Sequence, residues 1–145
     1  MNSNVLKAMP VLLIILGVIL SCNKENDDDC SVTVSNLSAT YRLTAMKYKQ
    51  TSNSAEQDYL LLLPACEKDD QIKLNANMSY DYVDAGIICS PPGNDQGTWA
   101  LNGNTITSNG LLNGTIESFD CTTLILLMTD VNIPGDKLTM TLRKQ

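Results

Sequence analysis

Residues 11–20 are apolar almost without a break, with Lys7 before them and the polar stretch 23–29 behind. A short apolar run after a positive charge, ending in small residues, is the pattern of a secretory signal. It is too short for a membrane span, which needs about 20 apolar residues. From residue 39 onward the pattern changes to short alternating segments cut by turn residues. Residues 40–49 read as a long first strand. Ser54 and Gln57 form a capping box ahead of the apolar run 59–63, and Pro64 ends that run, which predicts a short helix at 55–63. Strands follow at 71–75 and 79–84, and 90–97 is a loop rich in Pro, Gly and Asn. Segments 98–101 and 104–107 flank Asn102-Gly103, a strong hairpin signal. Residues 112–119, 122–129 and 137–143 complete the set, the last with Leu138, Met140 and Leu142 on one face. Eight strands with meander-length connections and one short helix between the first two predict an all-β fold. An antiparallel up-and-down barrel suits the count because closure removes exposed edges; a two-sheet sandwich is the runner-up.

The end of the apolar run carries its own message. Ile19-Leu20-Ser21-Cys22 resembles the lipobox of bacterial lipoproteins. The resemblance implies cleavage before Cys22, a diacylglyceride on its sulfur and usually a third acyl chain on its amine. Two or more acyl chains anchor firmly where one does so marginally. Residues 22–29, with Lys24, Glu25 and the run Asp27–Asp29, resemble the export signal of surface lipoproteins of the Bacteroidota. The expected organisation is therefore a signal peptide at 1–21, a flexible acidic tether at 22–36 and a barrel domain at 37–145. The membrane is a partner through Cys22. The cell surface is favoured over the periplasmic face of the outer membrane.

Charge and composition narrow the function. The net charge of −6 disfavours nucleic acid. Histidine is absent, which removes the commonest general base and the commonest transition-metal ligand. Neither Gly-x-Ser-x-Gly nor Ser-x-x-Lys occurs. No enzyme activity, metal or cofactor is expected.

A second resemblance covers residues 41–143. The block Leu63-Pro-Ala-Cys66-Glu-Lys-Asp-Asp70, then Cys89, then Gly97-Thr-Trp99-Ala-Leu101 resembles the lipocalin-like domain of Bacteroidota lipoproteins. Tyr41 stands where that family usually has a first-strand tryptophan. The Gly-x-Trp lies mid-chain, unlike that of true lipocalins, so the likeness to those is architectural.

With Cys22 assigned to lipid, four cysteines remain, and an exported chain oxidises them by default. Cys66 precedes the second strand and Cys89 follows the third, so folding that hairpin brings them together. Cys30 and Cys121 pair by elimination, and strand parity puts both at the end where the first strand starts. Any opening, with the helix and the 90–97 loop, then lies at the other end, away from the tether. Leu43, Ile72, Leu74, Tyr80, Tyr82, Trp99, Leu101, Leu138 and Met140 are the inward residues expected to line a pocket for a small apolar ligand. The alternative is that they simply fill a small barrel that serves as a structural or interaction protein of the envelope, acting through its top loops. The leucine run 60–63 is expected to pack over the mouth. Glu67, Asp69, Asp70, Asp81, Asp84 and Asp95 read as a solvated acidic rim.

Overall fold

Alternation of apolar and polar side chains organises the sheet seen in the computed structural model, which describes residues 30–110 and 112–145. The signal peptide, Cys22 and the acidic stretch to Asp29 lie outside the described residues. The strands are β1 (Ala39–Lys49), β2 (Gln57–Asp58), β3 (Gln71–Leu74), β4 (Ser79–Val83), β5 (Asp95–Asn102), β6 (Thr105–Ser108), β7 (Gly114–Phe119), β8 (Thr123–Thr129) and β9 (Lys137–Lys144). Each of β3 to β9 pairs antiparallel with its neighbour in sequence, β1 pairs with β3, and β1 also pairs with β9 from Tyr41↔Lys144 to Lys49↔Lys137. That last seam closes an eight-stranded barrel and leaves none of its strands as an open edge. β2 is a two-residue strap outside it, paired with β1 at Lys47↔Asp58.

The strands alternate up and down from β1, whose start defines the lower end. Cys30 is bridged to Cys121 at the lower end and Cys66 to Cys89 at the upper end, the pairing that strand parity requires. Among the described residues, Cys30 is already joined to the barrel by its bridge to Cys121. A single helical turn, α1 (Val34–Leu37), is capped by the Thr33 hydroxyl accepting from Asn36 N–H. It seats Leu37 in the core, where Leu37 C=O accepts from the Tyr41 hydroxyl at 2.9 Å. Lys144 Nζ donates to Asn36 C=O at 2.8 Å and so ties β9 to the same turn.

Three local expectations are corrected. The helix at 55–63 is not formed: Gln57 and Asp58 are extended as β2, and only Tyr59–Leu62 coils, as a 3-10 turn. The Ser54 hydroxyl pairs with Thr51 instead of capping a helix, Lys47 holds Asp58 by a 2.8 Å ion pair, and Tyr59 stacks on Tyr48 with centroids 4.7 Å apart. Tertiary contacts to β1 thus override the local capping signal. The loop at 90–97 gives up its last residues to β5, because Asp95, Gln96 and Gly97 pair with Tyr82, Asp81 and Tyr80. The β5–β6 turn is Gly103-Asn104, one residue later than read from Asn102-Gly103, with Gly103 at φ +57 as a glycine-first two-residue turn demands.

Gly97 is where the Gly-x-Trp pattern finds its reason. The Tyr80 ring and the Asn109 side chain press against its α-carbon so closely that any Cβ would collide with them. Two residues on, the Trp99 indole N–H donates to Asn75 C=O at 3.1 Å, closing the barrel over the β3–β4 turn.

Candidate functional site

Side chains fill the barrel unevenly along its axis. In the lower half Leu37, Tyr41, Leu74, Trp99, Ile106, Ile116, Leu124 and Leu142 are buried together. In the upper half a cavity of about 280 Å³ remains. β1 contributes Leu43 and Met46 to its wall, β3 Ile72, β4 Tyr82, β8 Met128, and β9 Leu138 and Met140. The connections above add Leu63, Glu67, Asp70 and Val131.

Leu43 and Met46 are three residues apart, yet both face inward. The register of β1 against β9 slips between Leu43 and Ala45, so Thr44 is the extra residue of a β-bulge. Its hydroxyl donates to Thr141 C=O at 3.1 Å. The bulge shifts the phase of alternation, placing Met46 and Tyr48 on the face that Tyr41 and Leu43 occupy below it.

Two carboxylate-centred loops frame the mouth. Between β8 and β9, buried Asp136 accepts from the N–H groups of Val131 (2.7 Å), Asn132 (2.9 Å) and Ile133 (3.1 Å) and from the Tyr48 hydroxyl (2.9 Å). Burial acts to raise the Asp136 pKa, but these donors outweigh it and hold the carboxyl below the ordinary aspartate value. Between β4 and β5, buried Asp84 accepts from Cys89 N–H at 3.1 Å and Gly93 N–H at 2.9 Å, while Asp69 accepts from Ile87 N–H at 2.8 Å. The Cys66–Cys89 bridge joins this loop to the segment before β3.

The polar part of the cavity lies on one side. The Tyr82 hydroxyl donates to Asp70 Oδ2 at 2.7 Å, and Ala85 N–H donates to Asp70 Oδ1 at 3.1 Å. Burial pushes the Tyr82 pKa well up, and the hydrogen bond to Asp70 and the fields of Asp70, Glu67 and Asp84 push it further. Tyr82 therefore stays protonated and remains a donor at any physiological pH. Among the described residues no group of three or more ligating side chains is arranged to hold a metal ion.

Five of the nine residues expected at the pocket meet there: Leu43, Ile72, Tyr82, Leu138 and Met140. The other four do not. Leu74, Tyr80 and Trp99 are buried in the core, and Leu101 packs at its margin, because a barrel this narrow consumes its large side chains as filling. Tyr80 is hemmed in by Gly97 and Gly110, and its hydroxyl donates to Asp95 at 3.1 Å.

Met46, Met128, Leu63 and Val131 were missed as pocket residues. For Met46 the signal was present: the apolar series Tyr41, Leu43, Met46, Tyr48 slips by one at Thr44. The solvated acidic rim also needs correction, since Asp70 and Asp84 are buried, Asp84 accepting from backbone N–H groups and Asp70 from Ala85 N–H and the Tyr82 hydroxyl. The leucine run divides, with Leu63 at the cavity while Leu61 and Leu62 are 73% and 72% exposed. A second depression on the outside, lined by Lys73, Asp81, Asn94 and Gln96 among others, is more open and mostly polar.

A family model described as a lipocalin-like domain matches residues 37–140. No curated protein and no solved structure matches the chain.

Proposed function

Because the chain belongs to the lipocalin-like domain family, we propose that it is a non-catalytic binding module holding a small apolar molecule in the upper half of its barrel. The cavity of about 280 Å³ carries this reading. Unfilled apolar space lowers stability roughly in proportion to its volume, and a barrel that served only as a scaffold would have no use for it. The volume lies at the lower edge of the usual range for ligand pockets, about 300–1,000 Å³, and so fits a single ring or a short chain. The cavity wall offers carboxylates and a tyrosine but, among the described residues, no nucleophile paired with a base.

The same proposal places the module outside the cell, acylated on Cys22 and held at the outer membrane, with display at the surface of a Bacteroidota-type cell. The lipobox pattern supports the anchor, and two disulfides support an oxidising compartment. The chain enters the barrel at Cys30, beneath the packed half, so the cavity mouth would face away from the membrane. Incorporation of labelled fatty acid at Cys22 tests the anchor; an unlabelled mature chain removes it.

Native mass spectrometry of the protein taken from its own cells tests the binding. A retained small molecule should appear as added mass that Leu43→Phe abolishes. Bare mass throughout, with no uptake of added apolar probes, would overturn the reading. One observation favours a second reading, contact with an envelope protein: Leu61, Leu62, Ile87 and Ile88 are all exposed on the upper connections. If polar replacements at Leu61 and Leu62 remove a co-purifying partner from a chain that carries no ligand, that reading prevails.

A further inference from the structure

The cavity has a chemical polarity, and its ends can be told apart by charge. Its apolar wall is made by Leu43, Met46, Met128, Leu138 and Met140, and its charged wall by Glu67 and Asp70 beside the Tyr82 hydroxyl. No lysine or arginine lines it.

The cations nearby are engaged elsewhere. Lys47 is paired with Asp58, Arg42 Nε donates to Lys68 C=O at 3.3 Å, and Lys68 Nζ reaches Leu61 C=O at 3.4 Å. Among the described residues Lys47–Asp58 is the only ion pair, so Glu67, Asp70 and Asp84 have no cationic partner. Asp70 and Asp84 are compensated by neutral donors, whereas the Glu67 carboxylate has no hydrogen bond among the described residues. Carboxylates beside a low-dielectric cavity attract a cation strongly, because little water screens them. The attraction does not point to a metal, since no ligating cluster of the required kind is present among the described residues.

We propose that the cavity selects amphiphiles with a cationic head: the apolar tail lies between Leu43 and Met140, and an ammonium group rests against Glu67 and Asp70. The Tyr82 hydroxyl, committed to Asp70, keeps that carboxylate aimed at the head group. Fatty acids and other anionic amphiphiles are excluded by the same carboxylates. This inference rests on the binding-module reading and adds to it the class of ligand.

Three methionines in the wall, Met46, Met128 and Met140, give a direct readout, and exposed Met78 on the β3–β4 turn serves as the control. The full chain, labelled with 13C at its methionine methyls, is titrated separately with hexylammonium, hexanol and hexanoate. Hexylammonium is expected to move the three wall methyls, to leave Met78 in place, and to bind about tenfold more tightly than hexanoate. Glu67→Gln should shrink that gap to about threefold. Glu67 is partly exposed and holds up no other residue, so the variant should fold. If hexanol moves the wall methyls but hexanoate binds as well as hexylammonium, the charge preference is wrong and the cavity reading survives. If no probe moves them, or Met78 moves equally, both fall together.

Discussion

Leu142 and Met140 sit two residues apart on β9 and belong to different worlds. Leu142 and its cross-strand partner Leu124 are fully buried in the lower half, below the phase slip of β1. Met140 looks into unfilled space, as do the half-buried Leu43 and Met46 across the β1–β9 seam. The lower half is closed by α1, a buried tyrosine and a disulfide that joins residues 91 apart. The upper half is framed by loops tied to carboxylates and by a bridge spanning only 23. One continuous sheet thus keeps stability at one end and room for a guest at the other.

Breaking the two bridges separately should give the largest contrast. In the loop-entropy account, Cys30→Ser with Cys121→Ser should remove roughly 4–5 kcal/mol, and Cys66→Ser with Cys89→Ser roughly 3 kcal/mol. Urea unfolding of both double variants measures the difference, and an inverted order would show that the upper end carries the stability.

Truncations sharpen the contrast with chemistry held constant. Leu142→Ala should cost about 3 kcal/mol by opening a cavity in close packing, while Leu43→Ala, beside space already present, should cost about 1 kcal/mol. Equal losses would mean that the upper half is as tightly packed as the lower.

Enlargement runs the other way. Leu43→Phe should change stability by less than about 1 kcal/mol, because the cavity accepts the ring, yet it should abolish uptake of an apolar probe. A loss of several kcal/mol would show that there was no room for it.

The smallest expected effect concerns acid. The Asp136 carboxyl lies below its ordinary value when folded, so its contribution is present above the unfolded pKa of about 3.9 and fades as pH falls through the folded value. Asp136→Asn should lower the melting temperature near neutrality and flatten its decline below about pH 4. A melting curve that keeps the same acid limb as the parent would assign that limb to other carboxylates.

Strand positions and disulfide pairing were legible because they depend on period-two alternation and on parity, which survive small errors in boundary. Strands 71–74, 79–83 and 137–144 were all anticipated within a residue or so. What failed depended on contacts distant in sequence. Ser54 and Gln57 satisfy a helix-capping rule, yet Gln57 is taken up by Tyr48 on β1. Asp70 and Asp84 carry charge and were read as solvated, but each is buried against N–H groups of residues up to 15 positions away. In the lower half nothing in the alternation of Leu74, Tyr80 and Trp99 distinguishes a side chain that fills from one that lines.

At Thr44 the chain carries one residue more than the alternation of its inward side chains requires. Removing that one residue would leave Tyr41, Leu43, Met46 and Tyr48 in unbroken alternation on the inner face, with Ala45 and Lys47 still outside and the pairing to β9 undisturbed. Tyr48 would keep Asp136, and the loop above the mouth its anchor. A deletion there would cost the bend and the Thr44 hydroxyl bond to Thr141, while the guest chamber kept its lining.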